Sequence, residues 1–436
     1  MELKQILFLL SLLVTIGVFA YSMKNLWANF KMLKPAFPVK NIAERIKITL
    51  NVALFQSKIM RRPVIGALHV IVWWGFLVIL VGSIEMLIEG LFGGERPLSL
   101  LGYFYDFVTL SGDVFAFLIA IAILVFLFRR IVLKVRRFEG IEMKHKSHVD
   151  ANIALTIILL LMISLLSMNL FYQAACIQRE MIVEGYFPVS SVLLNYVVNL
   201  EPMQIHYGHE ISWWSHILLI FLFANILPYS KHFHVFMSVP NVFLSRLKPI
   251  GKMDNMENIM NEVRMMMNPE TAFSAPAEDS PIARFGMKDV EDGTWKNYLD
   301  SLTCTQCGRC TSVCPANITG KRLSPRKMMI DFRERMKEKG KLNRIGKLES
   351  DTKTYLNDYI LPEEVWACTT CNACVQECPV NINQPELILQ LRRYLVMEES
   401  AAPAALNSVF ANIENNGAPW QFSPEDRMKW AENIMM

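Results

Sequence analysis

Eight of the nine cysteines of this chain fall into one spacing used twice: Cys304-x2-Cys307-x2-Cys310-x3-Cys314-Pro315 and Cys368-x2-Cys371-x2-Cys374-x3-Cys378-Pro379. Three thiolates spaced by two residues can wrap one loop around a face of an iron–sulfur cubane. The fourth, set off by three residues and followed by proline, points away and ligates the other cluster of a pair. The spacing therefore assigns one 4Fe-4S cluster to Cys304, Cys307, Cys310 and Cys378, and a second to Cys368, Cys371, Cys374 and Cys314. Zinc would be satisfied by four ligands in paired knuckles and gives the closing Cys-Pro no role. A disulfide framework needs an oxidising compartment, which the charge pattern described below argues against. The ninth cysteine, Cys176, reads as a packing residue.

All eight histidines precede residue 235. A histidine inside an apolar membrane segment is costly unless partnered, which makes it a functional candidate. His69 lies at the start of the second apolar stretch, His216 near the outer start of the fifth, and His232 and His234 at its inner end. On an unbroken helix the eighteen residues from His216 to His234 return to the same face about 27 Å away, with His232 pointing nearly opposite. His69 and His234 would then share one depth on antiparallel helices, which suits bis-histidine ligation of a haem b. A second haem at His216 lacks its partner, because the second stretch offers Ile79, Glu85 and Met86 at the matching depth. The expectation is one haem, with His216 an unpaired ligand, a member of a quinol site or the holder of a second haem. Pro228 is expected to kink this helix. His145, His148, His206 and His209 read as interfacial residues, and the Trp73-Trp74 and Trp213-Trp214 pairs as packing or interface anchors.

The elements that must position these groups follow from composition. The 436 residues are 53% hydrophobic and 19% charged, too apolar for a single soluble domain. The net charge of +4 gives no global field for nucleic acid. About twenty residues without charge suffice to cross the hydrocarbon core as a helix. Gln5–Met23, Pro63–Ile84, Ala151–Gln178 and Ile211–Ser230 qualify. Val114–Phe128 reaches across only by starting near Phe107 or running on to Val132. Between them, Lys24–Arg62 holds nine Lys/Arg and Arg129–Lys146 seven, against Lys4, Arg96 and Arg179 on the alternate side. The positive-inside rule then puts the amino terminus outside and the cysteine half in the cytoplasm of a cell (inner) membrane protein. The first stretch is followed by Lys24, Lys31 and Lys34 instead of a small-residue cleavage site, so it reads as a span and not a signal peptide. Gly185–Leu200, interrupted by Pro188, reads as a short interfacial helix.

The fold class expected is all-α, a five-helix transmembrane bundle followed by an α-helical ferredoxin with two 4Fe-4S clusters. Its boundaries are a cytochrome b-like domain at 1–248, a proline-containing linker with one short helix at 249–282, a dicluster domain at 283–400 and a partner-docking tail at 401–436. The insert from Ser324 to Leu361 reads as helical, without the alternation of a strand. Its eleven Lys/Arg between Lys321 and Lys347 suggest a solvated helix or a docking face for an acidic partner or lipid headgroups. No GxGxxG follows a strand, no P-loop occurs, and no Cys-Cys-Gly sequence is present to hold a catalytic cluster.

The five spans, with His69 in the second and His216 and His234 in the fifth, resemble the cytochrome b subunit of respiratory nitrate reductase. The cysteine runs, with the tail Glu414-Asn-Asn-Gly-Ala-Pro-Trp420 and Arg427 and Trp430, resemble the small iron–sulfur subunit of heterodisulfide reductase. Together they resemble the fused cytochrome b and ferredoxin subunits of heterodisulfide-reductase-like membrane complexes, including those related to the membrane module of sulfite-reducing systems. That resemblance implies electron exchange between membrane quinone and a cytoplasmic oxidoreductase subunit carrying Cys-Cys-Gly cluster motifs, in the lipid bilayer and without nucleic acid. The missing outer histidine of the second span departs from the pattern. The reading is an electron-transfer subunit. Its rivals are a membrane-anchored ferredoxin for cofactor or oxidase assembly, and a redox sensor, neither needing quinone chemistry.

Overall fold

The computed structural model describes residues 3–268, 284–432 and 434. Among them five helices are long and apolar enough to cross a membrane: α1 (Leu3–Phe30), α2 (Pro63–Phe92), α3 (Tyr103–Ile131), α4 (His145–Gln178) and α5 (Pro202–Ile226). α3 packs between α2 and α4, α4 runs along α5, and α1 closes the bundle against α5 and α2. The buried rings of Phe8 and Trp213, with Ile217 and Phe221, form the seam between α1 and α5.

The charge gaps located the spans but not their ends. α5 starts at Pro202, nine residues before Ile211, because proline at the first helical position has its φ pre-set and the Gln204 side chain accepts a hydrogen bond from the Glu201 amide at 3.2 Å. Glu210, now inside the helix, is paired with Lys4 of α1 at 2.7 Å. His216 consequently lies fourteen residues from one end of α5 and ten from the other, about 21 and 15 Å. It sits near mid-helix and not near the outer start.

The unbroken helix expected through His234 does not form. α5 stops at Ile226, and two 3-10 turns follow at Leu227–Tyr229 and Lys231–Phe233. Pro228 lacks an N–H and cannot continue the α-helical ladder. Ser230 is extended, and its Oγ accepts from the His232 amide at 3.0 Å. His234 opens a separate helix, α6 (His234–Phe243). The shared face of His216 and His234 is lost, and His232 does not point away from His234: their ring centroids are 6.0 Å apart.

Residues 190–197 form a 3-10 turn and one helical turn, not a crossing. Asp113 of α3 ties this segment down. Its Oδ2 accepts from the amides of Val189 (2.8 Å) and Ser190 (3.0 Å).

The cysteine half is helical, with no strand among the described residues. Its main helices are α7 (Trp295–Thr303), α8 (Pro325–Arg344) and α9 (Gln384–Met397), followed by α10 (Ala404–Asn416), which buries no residue. The linker does carry one helix, Glu257–Met267, while its stretch 269–282 lies outside the described residues. The insert departs from expectation. Only α8 is a long helix, and its basic residues divide: Lys341 and Arg344 are exposed at its end, whereas four others turn inward. Arg326, Arg333, Arg335 and Lys339 are buried. Arg335 reaches Asp289 and Asp351, each at 2.6 Å, and Lys339 reaches Asp289 at 2.7 Å. Burial alone would raise the Asp289 carboxyl, but the Arg335 and Lys339 hydrogen bonds hold it below its ordinary value.

The two halves share one core. Val52, Leu227, Phe233 and Val242 pack into the same buried cluster as Tyr298, Leu302, Met329 and Phe332. Polar ties reinforce it: Arg326 donates to Glu142 (2.7 Å) and to the carbonyls of Arg137 (2.7 Å) and Glu139 (2.6 Å), while Arg344 donates to Asn29 (2.9 Å). The segments after α1, between α3 and α4, and after α5 thus gather at the end that carries the cysteines.

Candidate cofactor sites

The two cysteine loops fold alike because they bend at the same two places. Gln306 and Thr370 take positive φ (57° and 54°), as do Gly308 and Asn372 (72° and 59°). These left-handed residues turn the chain so that thiols two apart face one centre. Asparagine tolerates the conformation in the second loop. In the first loop only glycine fits, since a Cβ at Gly308 would run into the Arg137 carbonyl.

Electrostatic neighbours sort the thiols into two groups. Cys310 lies in range of Cys304, Cys307 and Cys378, whereas Cys374 lies in range of Cys368, Cys314 and Cys371. Cys310 also acts on Cys374's side of the pair, so the groups adjoin. Cys314, Cys368, Cys371 and Cys374 line a cavity of about 20 Å³ closed by Pro315, Pro325, Pro385 and Ile388. No three described His, Cys, Asp or Glu side chains converge on a single ion; a cubane instead spreads four thiolates over four iron corners. Burial pushes the Cys374 and Cys378 thiols up to about 12, and the neighbouring sulfurs add to it. Thiolates in such a place need a bound cation-rich group to exist together, and the donor set fits two cubanes.

The groups differ in surroundings. Cys304, Cys310 and Cys378 of the first are buried, and Cys307 is half-buried; in the second, Cys314 and Cys374 are buried, Cys368 is half-buried and Cys371 is exposed. Cations crowd the first group. Arg309 donates to the carbonyl of Lys58 at 3.0 Å, and Lys58 Nζ donates to the Cys378 carbonyl at 3.3 Å. Arg137 acts on Cys307, and Arg333 and Arg326 act on Cys304. The Arg137 Nε and Nη1 and the Arg333 Nε are buried without a protein acceptor. Donors in that state need an anion, and a cluster ligated by four thiolates is one.

The histidines were legible as residues but not as a constellation. His69 sits six residues into α2, with its Nδ1 3.0 Å from Gln56 Oε1. His234 donates from Nδ1 to the Lys231 carbonyl at 3.0 Å, and His232 Nδ1 lies 3.1 Å from Ser230 Oγ. His216, buried, has Nδ1 3.0 Å from both the Leu161 carbonyl and Ser164 Oγ. None of the four makes a hydrogen bond at Nε2 among the described residues. A ring held at Nδ1 and free at Nε2 is oriented for iron. The structure brings His69 and His234 within electrostatic range of each other, and Arg309 within range of His69. His216 is apart from them. It lines, with His209, a cavity of about 60 Å³ in the middle of the bundle that also receives Glu85, Glu89, Arg96 and Asp113. Thus Ile79, Glu85 and Met86 do meet His216 across this cavity, and no second histidine of α2 does.

Gln56 was missed, as no spacing links it to His69. The chain folds back there because Gly66 admits the Ile59 carbonyl, which would stand 2.7 Å from a Cβ. Arg309 was in plain view, between Cys307 and Cys310. α6 supplies the remaining link. Its Asn241 donates to the Val380 carbonyl (2.9 Å) and accepts from Lys296 (3.0 Å), while the Met237 carbonyl accepts from Thr303 Oγ1 (3.3 Å), next to Cys304.

Residues 303–382 match the model of a 4Fe-4S dicluster domain. The chain is 28% identical to the "Probable iron-sulfur-binding oxidoreductase FadF" of Bacillus subtilis over 98% of its own length and 60% of that protein's. It is 26% identical to the "EtfAB:quinone oxidoreductase" of Syntrophomonas wolfei over 90% of its length and 54% of that protein's. A "Probable membrane-anchored ferredoxin" of Chromohalobacter salexigens is 33% identical over 38% of this chain and 27% of its own. The chain therefore spans less than two thirds of the length of these relatives. No solved structure matches it significantly. It carries a 4Fe-4S dicluster domain behind five membrane-length helices, and its homologues are iron–sulfur oxidoreductases, a membrane-anchored ferredoxin and heterodisulfide reductase subunits.

Proposed function

We propose that the chain is a membrane-bound electron-transfer subunit that passes electrons between the quinone pool and a cytoplasmic oxidoreductase partner. Haem b would be held by His69 and His234, and the two clusters by Cys304, Cys307, Cys310 and Cys378, and by Cys368, Cys371, Cys374 and Cys314. One observation carries this reading: the candidate groups are linked neighbour to neighbour, from the histidine pair through Arg309 and Lys58 to the buried Cys378, and among the cysteines on to the exposed Cys371. Cofactors supply one-electron chemistry, and the protein sets their order and surroundings. The basic loops beside the cysteine half support a cytoplasmic location for it and an external amino terminus. The tail 401–436, with Trp420, Phe422 and Trp430 exposed, supports a docking role for that segment. The relative named as an EtfAB:quinone oxidoreductase favours quinone as the membrane substrate.

The membrane-anchored ferredoxin among the relatives favours a second reading, in which the spans are an anchor and no quinone reacts. A reduced-minus-oxidised spectrum with a pyridine haemochrome assay separates the two. The first reading expects a b-type signal that disappears in His69→Ala and His234→Ala, and about eight cluster irons per chain. Cluster-replete protein without haem would leave the anchor reading standing.

A further inference from the structure

The two cysteine groups are built from one motif but stand among unequal numbers of cations, and that contrast carries a direction. We propose that a collar of buried and half-buried cations sets the inner cluster at a higher reduction potential than the outer one, so that electrons entering beside Cys371 run toward the membrane. The proposal rests on the functional reading above and adds the sense of flow to it.

The collar is specific. Lys58 and Arg137 come from loops of the membrane half, Arg309 from within the first cysteine run, and Arg326 and Arg333 from α8. Lys58 and Arg309 act on Cys378, Arg137 and Arg309 on Cys307, and Arg326 and Arg333 on Cys304. Glu377 offsets part of this charge, and is itself shared with Arg62 at 3.5 Å. Arg326 spends its hydrogen bonds on Glu142 and two carbonyls, yet the unmatched N–H groups of Arg137 and Arg333 remain. Around the second group, Arg392 acts on Cys368, and its guanidinium is occupied by the carbonyls of Val365 and Trp366. Cys371 opens to solvent, which screens charge.

A 4Fe-4S cluster with four thiolates gains one unit of negative charge on reduction, so nearby cations favour the reduced state, and do so more strongly where water is excluded. Burial of the inner group pulls the other way. Against it stand two guanidiniums with unmatched donors, the buried Arg333 and the half-buried Arg137, joined by three further cations, and on the proposed balance these outweigh it. The partner's reduced redox group is oxidised by one electron at a time. Two such electrons, with two protons from water, convert one quinone to quinol.

The test is an EPR-monitored redox titration of the full-length protein in detergent, with the two signals assigned by Cys307→Ser and Cys371→Ser. The inner signal is expected at the higher midpoint. Arg137→Gln and, independently, Arg333→Gln are expected to move it to lower potential while the outer signal stays, and Arg137→Lys to restore most of the shift. Iron content near that of the unsubstituted protein certifies each variant as loaded. An inner midpoint at or below the outer one overturns the proposal, as does a substitution that moves both signals together or neither. Absence of haem would overturn the quinone reading but leave the midpoints to decide the collar. Protein without clusters would overturn both, and iron analysis tells these cases apart.

Discussion

Each cysteine loop holds its ligands within eleven residues, whereas the histidines reach one place from two helices and a broken chain. In the cysteine half three of the four proposed ligands of each cluster are written in one short loop, and the fold has only to bring two copies of that turn together. In the histidine half the positions depend on where α5 stops, how the segment 227–233 turns, and what holds Gln56 against α2. Local encoding tolerates error in helix ends. Distributed encoding does not.

The largest effect expected is from Cys310→Ser. It removes a proposed ligand of the inner cluster and leaves the four of the outer one in place, so iron should fall from about eight per chain to about four. Cys176→Ser, in the packed cluster with Tyr172 and Phe187, should leave iron unchanged. Equal iron in both variants would remove the contrast between the two kinds of cysteine.

Next is the joint between the halves. Glu142→Ala leaves the Arg326 guanidinium buried at 1% side-chain exposure, and removing one member of a buried pair costs about 3–5 kcal/mol. Thermal unfolding of the cysteine half should therefore move down clearly in Glu142→Ala. An unchanged transition would mean that the two halves do not stabilise each other through this contact.

Gln56→Leu tests the distributed site more gently. The ring of His69 loses its partner at Nδ1 but keeps Nε2, and such a loss weakens metal binding by about 10–100-fold. Haem should wash out faster in detergent while iron–sulfur content holds. Loss of clusters together with haem would show that Gln56 supports the fold and not the ring.

The smallest effect is in pH. Burial, with Arg130, pushes Lys231 down to about 7 from its ordinary 10.5. The folded state then releases a proton that the unfolded chain still holds between pH 7 and 10, so the contribution of this group to stability rises with pH across that window. Between pH 7 and 9 the unfolding midpoint of the unsubstituted protein should gain a few degrees relative to Lys231→Met. Parallel curves would show that Lys231 keeps its charge.

Much of the architecture was legible because charge is excluded from hydrocarbon: five gaps in the charge pattern mark five helices. The ends were not, since a partner can carry a charge into a span, as Lys4 does for Glu210 and Tyr105 and Arg96 do for Glu85. That is how the depth of His216 was misjudged by half a helix. The dicluster domain was legible from the cysteine spacing alone. The inward turn of Arg326, Arg335 and Lys339 was not legible in the basic insert, because sequence counts cations without seeing Asp289, Asp351 and Glu142, their partners from other segments. Pro228 announced a break, but its consequence, a fresh helix opening at His234, depends on Ser230 capping the turn beyond it.

The common core also constrains how the molecule is made. Its cysteine half cannot complete its interior until Val52, Leu227, Phe233 and Val242 are in place, and the last of these is synthesised only after all five membrane-length helices. Asn29, at the end of the first helix, waits for Tyr298 and Arg344, some 270 to 315 residues later. The cysteine half thus completes its interior only together with the segments that join the long apolar helices, so it is not a module that closes on its own.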